Sequence, residues 1–149
     1  MRIAEQKLVG LSLEGKTTNA NGQSGIDCGN LWRKFLSEEI GSRISDKINE
    51  EVLAVYFNYE GDHTNSFSYF IGCKVRDFKN VPEGLSTLTI PVNEYQVFTA
   101  KGKMPDCIDE AWNAIWKSNM KRAYQFDFEV YGEKSIDWEN AEVEIFLSV

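Results

Sequence analysis

Apolar and polar positions change their period several times along the chain, and each change predicts an element. Val9, Leu11 and Leu13 alternate with other residues, the period of a half-buried strand, and with Ile3 they predict a first strand over Arg2–Lys16. Thr17–Gln23 is polar and holds an Asn-Gly pair, so it reads as a loop. Leu31, Trp32, Phe35, Leu36 and Ile40 then recur every three or four residues. That spacing predicts an amphipathic helix over Gly25–Ile40, with Ser24 as N-cap, Asp27 three residues on and Gly41 as its stop. Glu51–Tyr59 and Ser66–Val75 are rich in β-branched and aromatic residues. The short turn Glu60–Asn65 between them predicts a hairpin.

Past the Pro82/Gly84 turn the pattern repeats. Leu85–Val92 and Tyr95–Lys101 read as a second hairpin about Asn93-Glu94, and Asp106 is the expected N-cap of the next helix. Ile108, Ala111, Trp112, Ile115 and Trp116 form the apolar stripe of that helix, over Cys107–Asn119. In Phe126–Tyr131 the residues Phe126, Phe128 and Val130 share one face, and Asp127, Glu129 and Tyr131 share the other. An acidic loop holding Trp138 leads to a last strand over Glu142–Val149. There Val143, Ile145, Leu147 and Val149 take one face, and Glu142, Glu144, Phe146 and Ser148 the other. The expected fold is α+β: strand–helix–strand–strand taken twice, as an antiparallel sheet with two main helices on one face. At 149 residues it fits one domain, with a first half of about 1–80 and a second of about 81–149.

Composition narrows the function. A net charge of −7 argues against a nucleic-acid surface, which needs cations to displace counterions from phosphate, and it suits a cationic partner. Four Trp, six Tyr and nine Phe exceed what an ordinary core asks for and suit a pocket for a flat guest. Cys28, Cys73 and Cys107 are far apart and form no metal or disulfide pattern, so no metal or cofactor is expected. The N-terminus lacks the apolar stretch of a signal peptide, and no run of about 18 apolar residues exists, so a cytoplasmic location and no membrane contact are expected. No phosphate-binding loop, nucleophile elbow or zinc-protease motif is present. His63, the one histidine, lies in a turn with no partner in sequence and is expected to be solvated.

What remains is Glu129 beside Tyr131 and Glu144 beside Phe146. If those strand faces border a cavity, each carboxylate lacks hydration, its pKa rises and an organic cation becomes its natural partner. Surrounding rings add about 0.5–2 kcal/mol each by cation–π attraction.

The segments Tyr69-Phe-Ile-Gly-Cys-Lys-Val, Val81-Pro-Glu-Gly-Leu, Leu88-Thr-Ile-Pro, Tyr95-Gln-Val-Phe-Thr, Ala111-Trp-Asn-Ala-Ile-Trp, Phe128-Glu-Val-Tyr and Val143-Glu-Ile-Phe-Leu, in this order, resemble the effector-binding domain of GyrI-like and AraC-type regulators (SOUL-like superfamily). The resemblance implies a duplicated β-α-β-β fold with a pocket along a pseudo-twofold. In multidrug-sensing members, buried glutamates and aromatic walls bind lipophilic cations there. Carried over by motif, Glu129 and Glu144 are the acidic positions and Phe146 a wall. Tyr131, Trp112, Trp116, Tyr69 and Trp32 are further wall candidates. With no fused helix-turn-helix segment in view, the chain is similar to stand-alone drug-binding proteins carried on mobile gene cassettes. Three functions follow as expectations. The first is binding of amphipathic cations. The second is hydrolysis of strained-ring compounds by Glu129 and Glu144 acting together. The third is inhibition of DNA gyrase through a protein contact. A protein partner or a homodimer stays open.

Overall fold

Chain order in the computed structural model, which describes all 149 residues, is β1 (Arg2–Ile3), β2 (Gln6–Ser12), α1 (Gln23–Ser37), α2 (Ile40–Arg43), β3 (Val52–Phe57), β4 (Ser68–Val75), β5 (Ser86–Ile90), β6 (Asn93–Gly102), α3 (Asp106–Lys117), β7 (Asp127–Tyr131) and β8 (Ala141–Ser148). The strands form one antiparallel sheet in the order β1-β6-β8-β7-β3-β4-β2-β5. The order is a palindrome in the repeat: β2 answers β6, β3 answers β7, β4 answers β8, and α1 answers α3. The expected duplicated α+β fold is present, and its midline is the β3–β7 pairing, where Ala54 faces Glu129.

Two expectations are corrected. The predicted first strand breaks at Ala4-Glu5, and β1 pairs with β6, not with its neighbour β2. The second hairpin does not exist: β5 pairs with β2, while β6 lies between β1 and β8 at the other end of the sheet. Only Pro91-Val92 separates β5 from β6, and only Ala4-Glu5 separates β1 from β2. A link of two residues reaches about 10 Å between flanking Cα atoms. The sheet must therefore curl until its two ends nearly meet. Gly10 and Gly72, directly opposed on β2 and β4, permit a close approach within it, because a Cβ on either would collide with the facing backbone.

Curling gives the sheet two buried faces. The inner face packs on itself through Leu8, Leu53, Val55, Phe70, Ile90, Tyr95 and Phe128, with Phe146 stacked on Phe128 at 4.7 Å. The outer face carries the helices. Phe35 of α1 closes a core over Val9, Leu11, Ala54, Tyr69 and Ile71, with Leu31 and Trp32 at its margin. The α3 stripe, Ile108, Trp112 and Ile115, closes a second core over Val143, Ile145 and Leu147.

Helix ends differ from the sequence expectation. α1 starts one residue before Ser24, at Gln23, after Gly22 in a left-handed conformation. Asp27 is bonded by the Thr17 hydroxyl at 2.7 Å. Glu39, not Gly41, interrupts the first helix, and Gly41 sits inside the short α2. Asp106 is the first helical residue of α3, and with Asp109 it places negative charge at the helix's positive end.

Candidate ligand-binding site

Residues of β3, β4 and β7 that point toward the helices meet between α1 and α3. The register aligns Tyr56 with Asp127 and with Tyr69, and Ala54 with Glu129, so these side chains share the outer face. Above them lies a cavity of about 390 Å³. α1 contributes Ser24, Gly25 and Cys28 to its lining, and α3 contributes Ile108, Asp109, Trp112, Asn113 and Trp116. Tyr56, Tyr59, Phe67 and Arg122 complete the floor, and Asn19 and His63 stand on the loops at its edge.

Glu129 lies one side chain behind this wall and is 2% exposed. Its Oε2 accepts from the Trp112 indole N–H at 2.6 Å and the Tyr56 hydroxyl at 2.9 Å, and its Oε1 accepts from the Tyr131 hydroxyl at 2.6 Å. All three donors are neutral, and no cation pairs with the carboxylate. Burial pushes its pKa above the ordinary carboxylate value, and the three hydrogen bonds oppose that shift without cancelling it. The phenols of Tyr56, Tyr69 and Tyr131 are driven well above their ordinary range, first by burial and then by the Glu129 charge, so they keep their protons and remain donors. The Cys28 thiol is pushed up to about 12 by burial and by the neighbouring acids, which leaves it without thiolate character.

The rings that hold this carboxylate are part of a larger aromatic cluster. Tyr56 touches Phe67, Tyr69 and Trp112 at 5.5, 5.0 and 5.1 Å between centroids. Trp32 stands edge-on to Tyr131 at 5.0 Å and donates its indole N–H to the Tyr69 hydroxyl at 2.8 Å. Of the residues proposed from sequence, Glu129, Tyr131, Trp112, Tyr69 and Trp32 form one connected cluster. Trp116 lines the cavity mouth, where His63 stacks on it at 5.4 Å. His63 stays in its turn and is half-buried, so the expected solvated histidine keeps contact with water on the side away from Trp116.

Glu144 and Phe146 are corrected as well. β7 and β8 pair Glu129 with Ile145, and Glu144 with Val130, so the two glutamates point to opposite faces of the sheet. Glu144 is exposed, and Phe146 belongs to the inner core. A hydrolysis in which Glu129 and Glu144 converge on one substrate is excluded by this register.

Sequence reasoning missed Tyr56, Tyr59, Phe67 and a buried ion pair beneath the cavity. Asp127 is fully buried and takes Arg122 Nη2 at 2.7 Å, the Tyr59 hydroxyl at 2.6 Å, and both the backbone N–H and hydroxyl of Ser148 at 2.7 and 2.9 Å. Alternation in Phe126–Tyr131 had already placed Asp127 on the Glu129 face, and that was the available signal.

Comparison with known proteins settles the class. The family model for integron-associated effector binding proteins (Cass2) matches residues 3–149. The chain belongs to this family. At that level its function is the binding of an effector, and the cavity between α1 and α3 is the candidate site for one. The integron cassette protein VCH_CASS2 from the mobile metagenome of Vibrio cholerae is 28% identical, with a TM-score of 0.75 over 100% of this chain and 93% of that one. SAV2435, solved bound to tetraphenylphosphonium, shares the fold at 19% identity, with a TM-score of 0.78 over 100% of this chain and 91% of that one. YobU of Bacillus subtilis, named as a candidate transcriptional regulator, is 25% identical over 122 residues, 80% of this chain and 74% of its own length. No helix of the chain is long and apolar enough to cross a membrane.

Proposed function

We propose that this effector-binding protein takes lipophilic, aromatic organic cations in the cavity between α1 and α3, with Glu129 as their counter-charge. The observation that carries the reading is a buried carboxylate held only by neutral donors, directly behind an aromatic wall. Asp109 on the lining adds a second negative charge, and Arg122 adds none in net terms because Asp127 neutralises it.

The guest's charge rests against the Tyr56 and Trp112 rings, whose O–H and N–H are turned toward Glu129. At about 6–7 Å and an effective dielectric near 20, one ion pair contributes roughly 2–3 kcal/mol. Two or three ring faces add about 0.5–2 kcal/mol each. With apolar burial these terms reach the roughly −8 kcal/mol of micromolar binding. The structural neighbour that holds tetraphenylphosphonium supports the same guest chemistry.

A thermal-shift screen of matched cationic and neutral aromatic compounds tests the reading, because a guest that binds only the folded chain raises its melting temperature. Cations should raise it more than their neutral isosteres do. Equal shifts for both members of each pair would remove Glu129 from the account.

A further inference from the structure

Arg122 spends one nitrogen on Asp127 and leaves the others idle. Its side chain is 4% exposed, Nη2 bonds Asp127 at 2.7 Å, and the buried Nε and Nη1 have no hydrogen-bond partner. Buried donors without acceptors are uncommon and costly, roughly 1–3 kcal/mol each, and more when charged. The residue also borders the cavity. Its guanidinium lies 4.3 Å from the Tyr124 ring centroid and 5.7 Å from that of Trp112, the same indole whose N–H holds Glu129. One tryptophan thus stands between a carboxylate that lacks a cation and a guanidinium with two nitrogens unpartnered.

We infer that the cavity has a second polar subsite, Arg122, and that its preferred guests are aromatic cations that also carry an oxygen acceptor, a carboxylate or carbonyl, on the side away from the positive charge. This rests on the cation reading above and adds a selectivity to it. A guanidinium is a weakly hydrated, planar, permanently charged donor that suits carboxylate and carbonyl oxygens. Asp127 uses a single nitrogen of it, so the remaining donors stay free for a guest. Their satisfaction costs no existing bond within the protein. A purely hydrocarbon cation fills the aromatic part of the cavity and leaves these donors unsatisfied. The same logic lets polar sites reject analogues that lack the matching group.

Calorimetry with two triarylphosphonium cations of similar shape makes the test: (4-carboxyphenyl)triphenylphosphonium and (4-methylphenyl)triphenylphosphonium. The wild-type chain should prefer the carboxylate by about tenfold, the factor that corresponds to roughly 1.4 kcal/mol. Arg122→Gln combined with Asp127→Asn removes both charges together and avoids stranding either one. In that pair of substitutions the preference should fall to about one. Arg122→Lys, which keeps the charge and the Asp127 pairing but offers fewer donors in a different geometry, should give an intermediate ratio. A wild-type protein that binds the methyl compound as well as or better than the carboxylate overturns the inference and leaves the cation reading standing. A preference that survives in the double variant overturns it too. Binding of neither compound overturns both.

Discussion

Asp127 and Glu129 are two residues apart on one strand, point to the same face and are both removed from water. Their surroundings are nevertheless opposite. Asp127 has a guanidinium, a phenol and two groups of Ser148 around it, which meets its charge and its acceptor capacity. Glu129 has three neutral donors and no cation. A buried charge that is paired belongs to the architecture, and breaking it strands the partner. Glu129, buried without a cationic partner, helps burial to hold the phenols of Tyr56, Tyr69 and Tyr131 in their protonated form. The comparison separates a carboxylate that is paired within the fold from the one proposed as the counter-charge of a guest.

The largest effect expected from this contrast is on stability. Asp127→Ala leaves Arg122 buried and unpaired, and chemical denaturation should show a loss of about 3–5 kcal/mol. Glu129→Gln keeps the side chain's shape and removes the buried charge. It should weaken tetraphenylphosphonium at least tenfold, about 1.4 kcal/mol or more, while neutral aromatic compounds change by less than about twofold, as read by calorimetry. If Glu129→Gln destabilises the chain as much as Asp127→Ala, the proposed division of roles fails.

The pH dependence of stability sharpens the contrast further. Burial raises the folded-state pKa of Glu129 above its ordinary 4.5, so folding takes up a proton at this site between that value and the raised one. The contribution of Glu129 to stability is therefore greatest below about pH 4.5 and falls as pH rises through the raised value. Wild type should lose stability over that interval relative to Glu129→Gln, and parallel curves would contradict it. The smallest effect belongs to Glu144→Gln. An exposed side chain on the far face should change both stability and cation binding by less than about 0.5 kcal/mol.

The sequence carried much of this. Periods of two and 3.6 located both long helices and the strand segments, and the repeated element order gave the duplication. Alternation in Phe126–Tyr131 put Glu129 and Tyr131 together. The relative phase of β7 and β8 was not legible. Each strand shows which of its own residues share a face, but only pairing shows which faces of two strands coincide. The assumption that apolar faces align would fit a sheet with one core. Here curling buries both faces, so Val143, Ile145 and Leu147 lie on the same side as Glu129, while Phe146 lies inside. The crossing of β1 and β5 to opposite ends was hidden for a related reason: unless the sheet is known to curl, the Ala4-Glu5 link reads as part of one continuous strand and the short connection after β5 as a tight hairpin. Arg122 sits in a segment without periodicity, so its ion pair had no local signature.

Loss of a proton from Glu129 as a cation binds is the event that the proposed role of this carboxylate requires. Calorimetry of tetraphenylphosphonium binding in buffers of different ionisation enthalpy, at a series of pH values rising from the ordinary carboxylate value of 4.5, measures the protons exchanged. Wild type should release protons and bind more tightly as pH rises, and Glu129→Gln should do neither. Binding by wild type that is independent of pH, with no proton release and the same affinity as Glu129→Gln, would contradict the central claim.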